Sequence, residues 1–131
     1  MRKQGILNAE ICKVIAALGH TEYLVIADPG LPIPEGIKVI DISLRQGVPG
    51  FLEVLDSVAR ETVIESFVYA AEMEEYSPEL LAGMKDILAK IPEKKISHEN
   101  LKGMLSTARA IIKTGECTSY ANVVLEGGVN F

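Results

Sequence analysis

The strongest constraint on this chain is an alternation of two patterns. Short apolar runs rich in branched residues alternate with longer stretches whose apolar residues recur at helical spacing. The clearest run is "YLVIA", residues 23–27, which is stopped by the turn-forming Asp28-Pro29-Gly30. Ahead of it, Ile11, Val14, Ile15 and Leu18 fall at i, i+3, i+4 and i+7 behind an N-cap candidate, Asn8. Gly19 is placed to end that helix as a C′ residue. Residues 38–44 ("KVIDISL") and 63–73 ("VIESFVYAAEM") read as further strands, with a helix at "PGFLEVLDSVARE" between them. Ser77 and Pro78 open another helix as N-cap and N1, and Ser97 caps one more. "RAIIKTG" and "NVVLEGGV" close the chain as strands. Strands alternating with amphipathic helices predict an α/β fold, one domain over residues 1–131, with helices packed on the faces of a sheet.

Charge and composition narrow the function. The net charge is −5 with no Lys/Arg cluster, so a polyanion-binding face is not expected, and Trp is absent, which argues against a base-stacking platform. The first twenty residues are interrupted by Glu10 and Lys13, so they do not read as a signal peptide. No apolar run approaches the roughly 18 residues of a membrane span. A cytoplasmic protein with no membrane insertion is the expectation. Cys12 and Cys117 match no metal or disulfide spacing. No Gly-rich phosphate loop and no metal-binding His pair occurs, so neither a cofactor nor a metal is expected.

Polar residues at strand ends are where chemistry is expected, because ligands of open α/β sheets gather beyond the carboxyl ends of strands. Asp28 stands there, as a turn starter or as a ligand-binding carboxylate. His20 follows a helix end, as a surface residue at the helix dipole or as a general acid or base. His98 starts the helix capped by Ser97, and Lys102 lies one turn further on the same face. Near the end, Tyr120 and Asn122 would face one side if both lay in a strand. Val123, Val124, Leu125, Val129 and Phe131 make the tail too apolar to hang free, and an uncovered strand edge there would seek another chain.

Five stretches then carry a resemblance: "GILN" at 5–8, "LGHT" at 18–21, "VIADPGLPIP" at 25–34, "IKTGE" at 112–116 and "YANVVLEGGV" at 120–129. In combination they resemble the D-ribose pyranases, the RbsD family grouped with the fucose mutarotases. Residues 53–96 are similar only in general pattern, and Pro29 inside "ADPG" is a departure. The resemblance implies an RbsD-like sheet and interconversion of the pyranose and furanose forms of D-ribose, in support of ribose uptake and use. It implies His20 as proton donor, with Asp28, His98, Tyr120, Ala121 and Asn122 holding the sugar and Lys102 as a further contact. It also implies a ring-shaped homo-oligomer, a decamer, with the C-terminal strand near a neighbour's site. Three other readings stand beside it. A fucose-type mutarotase would exchange anomers only. A non-catalytic sugar-binding accessory of a ribose transport system would tolerate loss of the His20 imidazole. A structural oligomer unit would leave Tyr120 and Asn122 unexplained.

Overall fold

The computed structural model describes residues 1–131. In chain order the elements are α1 (Ala9–Ala17), β1 (Tyr23–Ala27), β2 (Val39–Asp41), α2 (Phe51–Glu61), β3 (Ile64–Ala70), α3 (Met73–Tyr76), α4 (Pro78–Ile87), β4 (Glu93–Ile96), α5 (His98–Met104), β5 (Ala108–Lys113) and β6 (Val123–Gly127). The six strands form one sheet in the order β2-β5-β1-β6-β3-β4. β1 runs parallel to β5, β5 to β2, and β3 to β4, whereas β6 is antiparallel to both its neighbours, β1 and β3. Five strands therefore point one way, and the sixth runs back between them at the centre.

β1 shows why both faces of this sheet must be covered. Leu24, Val25, Ile26 and Ala27 are all fully buried. Leu24 and Ile26 pack into one core with Ile11 and Val14 of α1, Phe51 and Leu55 of α2, and Met84 of α4. Val25 and Ala27 pack into the other, with Val124 of β6 and Leu101 of α5. The period-2 alternation of strand side chains divides the run between two cores, which is why it reads as continuously apolar. Fully burying each such Leu, Ile or Val side chain contributes about 1.5–3 kcal/mol.

The helix caps follow the sequence at Asn8, whose side chain accepts the Ile11 N–H at 3.0 Å, and at Ser97, which accepts the Asn100 N–H at 3.1 Å. Other expectations are corrected. Gly19 is not left-handed: α1 stops at Ala17 with an extended Leu18 as cap, and the positive φ falls on Thr21 (φ 67°). Ser77 occupies the N-cap of α4, but its hydroxyl makes no capping bond and is buried without a partner. The strand expected over 63–73 ends at Ala70, where the chain turns into α3, and that over 38–44 covers only Val39–Asp41. The last strand has no uncovered edge, because β6 is bonded on both sides and Val123, Val124 and Leu125 are buried within the chain. Only Val129 and Phe131 of the tail's large apolar residues stay exposed. No helix is long and apolar enough to cross a membrane.

Candidate active site

The carboxyl ends of the parallel strands collect most of the polar residues singled out above. Asp28 follows β1 and Asn122 precedes β6, 94 positions apart in sequence. The Asp28 N–H donates to Asn122 Oδ1 at 3.0 Å, and Asn122 Nδ2 donates back to Asp28 Oδ2 at 3.0 Å. Asn122 is fully buried, so this reciprocal pair satisfies its amide where water cannot. The other Asp28 oxygen accepts the Gly30 N–H at 2.8 Å, which is the turn reading of Asp28 realised at the same time. Each carboxylate oxygen retains a lone pair for a further donor. The end of β1 is held by Thr114, whose N–H and hydroxyl both donate to the Ala27 carbonyl at 2.9 Å.

Tyr120 and Asn122 do not share a strand face, because β6 begins only at Val123. Tyr120 instead takes a left-handed backbone (φ 60°), and its carbonyl accepts the Asn122 N–H at 2.7 Å. A non-glycine residue in that region costs on the order of 1 kcal/mol and persists only when its surroundings enforce it. The enforcement is aromatic and polar. The Tyr120 ring meets the His98 ring edge-on at 5.1 Å and the Tyr76 ring at 5.6 Å. Ala121, between Tyr120 and Asn122, is fully buried in the core.

His98 is the first residue of α5. Its N–H donates to both carboxylate oxygens of Glu72, at 2.9 and 3.2 Å, fixing the helix start against the end of β3. Its Nδ1 is buried with no hydrogen-bond partner. Lys102, one turn on, is paired with Glu99 at 2.6 Å on the helix surface.

His20 lies at the opposite end of the sheet. The five residues of β1 separate it from Asp28 by about 17 Å of strand. Within one chain Asp28 therefore cannot orient His20. The His20 loop is tied to the end of β6: the Thr21 N–H donates to the Gly127 carbonyl at 2.9 Å, and the Gly127 N–H to the Glu22 carbonyl at 2.8 Å. The imidazole Nε2 is 2.8 Å from Glu65 Oε2. Around it runs a groove of about 280 Å³, lined also by Ile15, Leu18, Val63, Val129 and Phe131.

The sequence reading missed Glu65, Glu72 and Glu116. Glu116 Oε1 accepts the Phe51 N–H at 2.9 Å, capping α2 across the chain where Gly50 has no side chain to do so. Its Oε2 accepts the Cys117 and Thr118 N–H groups and the Thr118 hydroxyl, at 2.8–3.2 Å. Burial pushes the Glu116 carboxyl up, but these donors outweigh it and hold the group below its ordinary value. Thr114 and Glu116 both lie in "IKTGE", but spacing alone gives no hint that one holds β1 and the other caps α2.

Hydrogen-bonding side chains gathered beyond the carboxyl ends of parallel strands are the arrangement of α/β sheet proteins that take a small ligand at the sheet's end. The chain belongs to the RbsD / FucU transport protein family, whose sequence pattern it matches over residues 1–130. It is 46% identical over 131 residues to a D-ribose pyranase of Geobacillus thermodenitrificans, covering all of this chain and 99% of that one. It is 47% identical to a D-ribose pyranase of Exiguobacterium sp., covering both chains fully. Among solved structures, Bacillus subtilis RbsD complexed with D-ribose superposes with a TM-score of 0.97 at 40% identity, covering all of both chains. The fucose mutarotase of Streptococcus pneumoniae shares the fold, with a TM-score of 0.84 at 22% identity over 99% of this chain and 100% of that one.

Proposed function

We propose that this chain is a D-ribose pyranase, acting without cofactor or metal as one catalytic domain over residues 1–131. The observation that carries the reading is the cluster of Asp28, Asn122, His98 and Tyr120 at one pole of a chain 46% identical, over its full length, to a D-ribose pyranase. In this reading the sugar lies over that pole. Asp28 accepts from a sugar hydroxyl, and the buried Nδ1 of His98 gains the partner it lacks. Tyr120 reads the hydroxyl pattern from a turn that the buried Ala121 and Asn122 hold in place, Asn122 acting through its bonds to Asp28. Lys102 is a further contact once drawn from Glu99.

The reaction opens and recloses a hemiacetal. The bond from C1 to the ring oxygen breaks, its electron pair goes to that oxygen, and His20 supplies the proton. The anomeric hydroxyl gives its proton to the Asp28 carboxylate as the C1 carbonyl forms. The open aldehyde rotates and a different hydroxyl attacks C1. That hydroxyl gives its proton to the now neutral His20, Asp28 returns its proton to the carbonyl oxygen, and the former ring oxygen keeps the proton it received. General acid–base help of this kind contributes about 10²–10⁴-fold.

The distance between His20 and Asp28 supports a site completed by a second copy, the exposed Val63, Val129 and Phe131 beside His20 forming part of the contact. A cytoplasmic homo-oligomer, a decameric ring serving ribose uptake and use, is the assembly in which we place it.

Magnetisation-transfer NMR on D-ribose tests the reading. Pyranose–furanose exchange is expected to accelerate with no added cofactor and in the presence of a chelator, and His20→Ala is expected to abolish most of it while leaving the fold intact. Exchange no faster than in buffer refutes the activity, and loss on chelation refutes the metal-free mechanism.

A further inference from the structure

We propose that Glu65 is a positioning residue for His20: its carboxylate selects the tautomer with hydrogen on Nε2 and leaves Nδ1 as the atom that exchanges a proton with substrate. This rests on the reading of His20 as proton donor. An ionised carboxylate only accepts hydrogen bonds, so the ring nitrogen 2.8 Å from Glu65 Oε2 carries hydrogen. In the neutral ring the other nitrogen, Nδ1, is then the acceptor. When Nδ1 is protonated the Nε2–H bond to Glu65 persists, so the ring keeps one orientation through both halves of the reaction.

The backbone supports this role independently. Between β3 and β6 the register steps from Ile64↔Gly127 to Ser66↔Glu126, two residues on β3 against one on β6. Glu65 is the extra residue of this bulge, a device that re-aims a side chain out of the pleat. The bulge and the His20 loop are anchored to adjacent residues, Gly127 and Gly128, at the end of β6. Thr21 N–H bonds the Gly127 carbonyl, and the Gly128 N–H bonds the Val63 carbonyl at 2.9 Å. Gly128 also packs closely on Glu65, since a Cβ there would lie 3.4 Å from Glu65 Cβ. Both partners are half exposed, and an exposed ion pair adds little to stability. Orientation of the ring, not folding energy, is what this contact supplies.

The test compares wild type with Glu65→Ala and Glu65→Gln, using ¹⁵N-labelled histidine and ribose exchange. The chain has two histidines, so the His20→Ala spectrum assigns the His20 ring. At pH 8.5 the wild-type His20 signals are expected to be those of the Nε2–H tautomer. Glu65→Ala is expected to give a tautomer mixture and a loss of about tenfold or more in kcat, within the range of general acid–base effects, with KM for D-ribose unchanged. Glu65→Gln keeps an acceptor oxygen and is expected to restore most of both. A Glu65→Ala protein with the wild-type tautomer, or with an altered tautomer and an unchanged kcat, overturns the proposal. If the wild-type protein does not accelerate exchange, the pyranase reading fails by itself, and the ¹⁵N signals still report whether Glu65 sets the tautomer.

Discussion

Replacing Asn122 by Asp tests the central pair of the site with almost no change in shape. The variant keeps an acceptor for the Asp28 N–H but replaces the Nδ2 donor by an oxygen, 3.0 Å from Asp28 Oδ2. Two effects follow. The lost hydrogen bond to a charged group costs about 1.5–3 kcal/mol. Two carboxylate charges at that separation repel by about 5 kcal/mol at an effective dielectric constant near 20, reduced further because Asp28 is only half-buried. A single proton shared by the pair relieves the repulsion. The folded variant therefore binds that proton more tightly than the unfolded chain, so its deficit is smallest in acid and grows as pH rises. Asn122→Ala serves as the comparison: it loses the same Nδ2 bond and in addition strands the Asp28 N–H, at a further cost of about 1–3 kcal/mol. It sets no second carboxylate beside Asp28, so its deficit depends on pH far less. Urea unfolding at pH 5 and pH 8, at fixed protomer concentration, separates the two. Asn122→Asp is expected to be several kcal/mol less stable than wild type at pH 8, to recover much of that at pH 5, and to lose ribose exchange at pH 8. Wild-type stability of Asn122→Asp at pH 8 would refute the assignment of the amide as donor to Asp28, and with it the account of how the two loops are held.

Three further outcomes are expected. Gly127→Ala places a Cβ 2.7 Å from the Gly19 carbonyl and 3.1 Å from the Leu18 side chain, so it should cost about 1–3 kcal/mol in thermal unfolding and reduce exchange by displacing the His20 loop. Glu116, held below its ordinary 4.5, contributes stability that is present above that value and lost as pH falls through its folded value. Glu116→Gln should thus be less stable at neutral pH and lack that part of the acid loss, as read by unfolding across the acid range. Deleting the residues after Gly127 removes Val129 and Phe131 but leaves β6 whole. Light scattering and exchange NMR should then show smaller oligomers and slower exchange together, and a monomer with full exchange would show that the site is built within one chain.

Where the sequence was informative, local chemistry and burial agreed. "YLVIA" is β1 to the residue because both of its faces are buried and Asp-Pro-Gly cannot continue a strand. Asn8 and Ser97 cap because the bond each makes reaches only three residues along the chain. β4 went unread because "EKKI" lies at the sheet's edge with charged, mostly exposed side chains and no apolar alternation. The Tyr120–Asn122 alternation failed because a left-handed residue enforced by His98 and Tyr76, both remote in sequence, breaks the extended chain there. His20 and Asp28 were legible as polar residues beside a strand. Their lying at opposite poles depends on the whole length of β1, and Glu65 and Glu116 find their partners only through the tertiary fold.

The position of β6 also bears on how the chain acquires its structure. It is the last of the six strands to leave the ribosome, yet it occupies the middle of the sheet. Until it arrives, β2, β5 and β1 can pair on one side and β3 and β4 on the other, but nothing bonds the two groups, and β1 and β3 each present an open edge. Closing the sheet pairs Leu24 with Leu125 and Phe67 with Leu125, across about a hundred and about sixty residues respectively. Such distant pairings form slowly, because loop closure must precede the contacts that reward it. Folding of this chain is therefore committed after synthesis of its sheet rather than during it, and nascent chains stalled before Val123 are the species most exposed to aggregation and to chaperones.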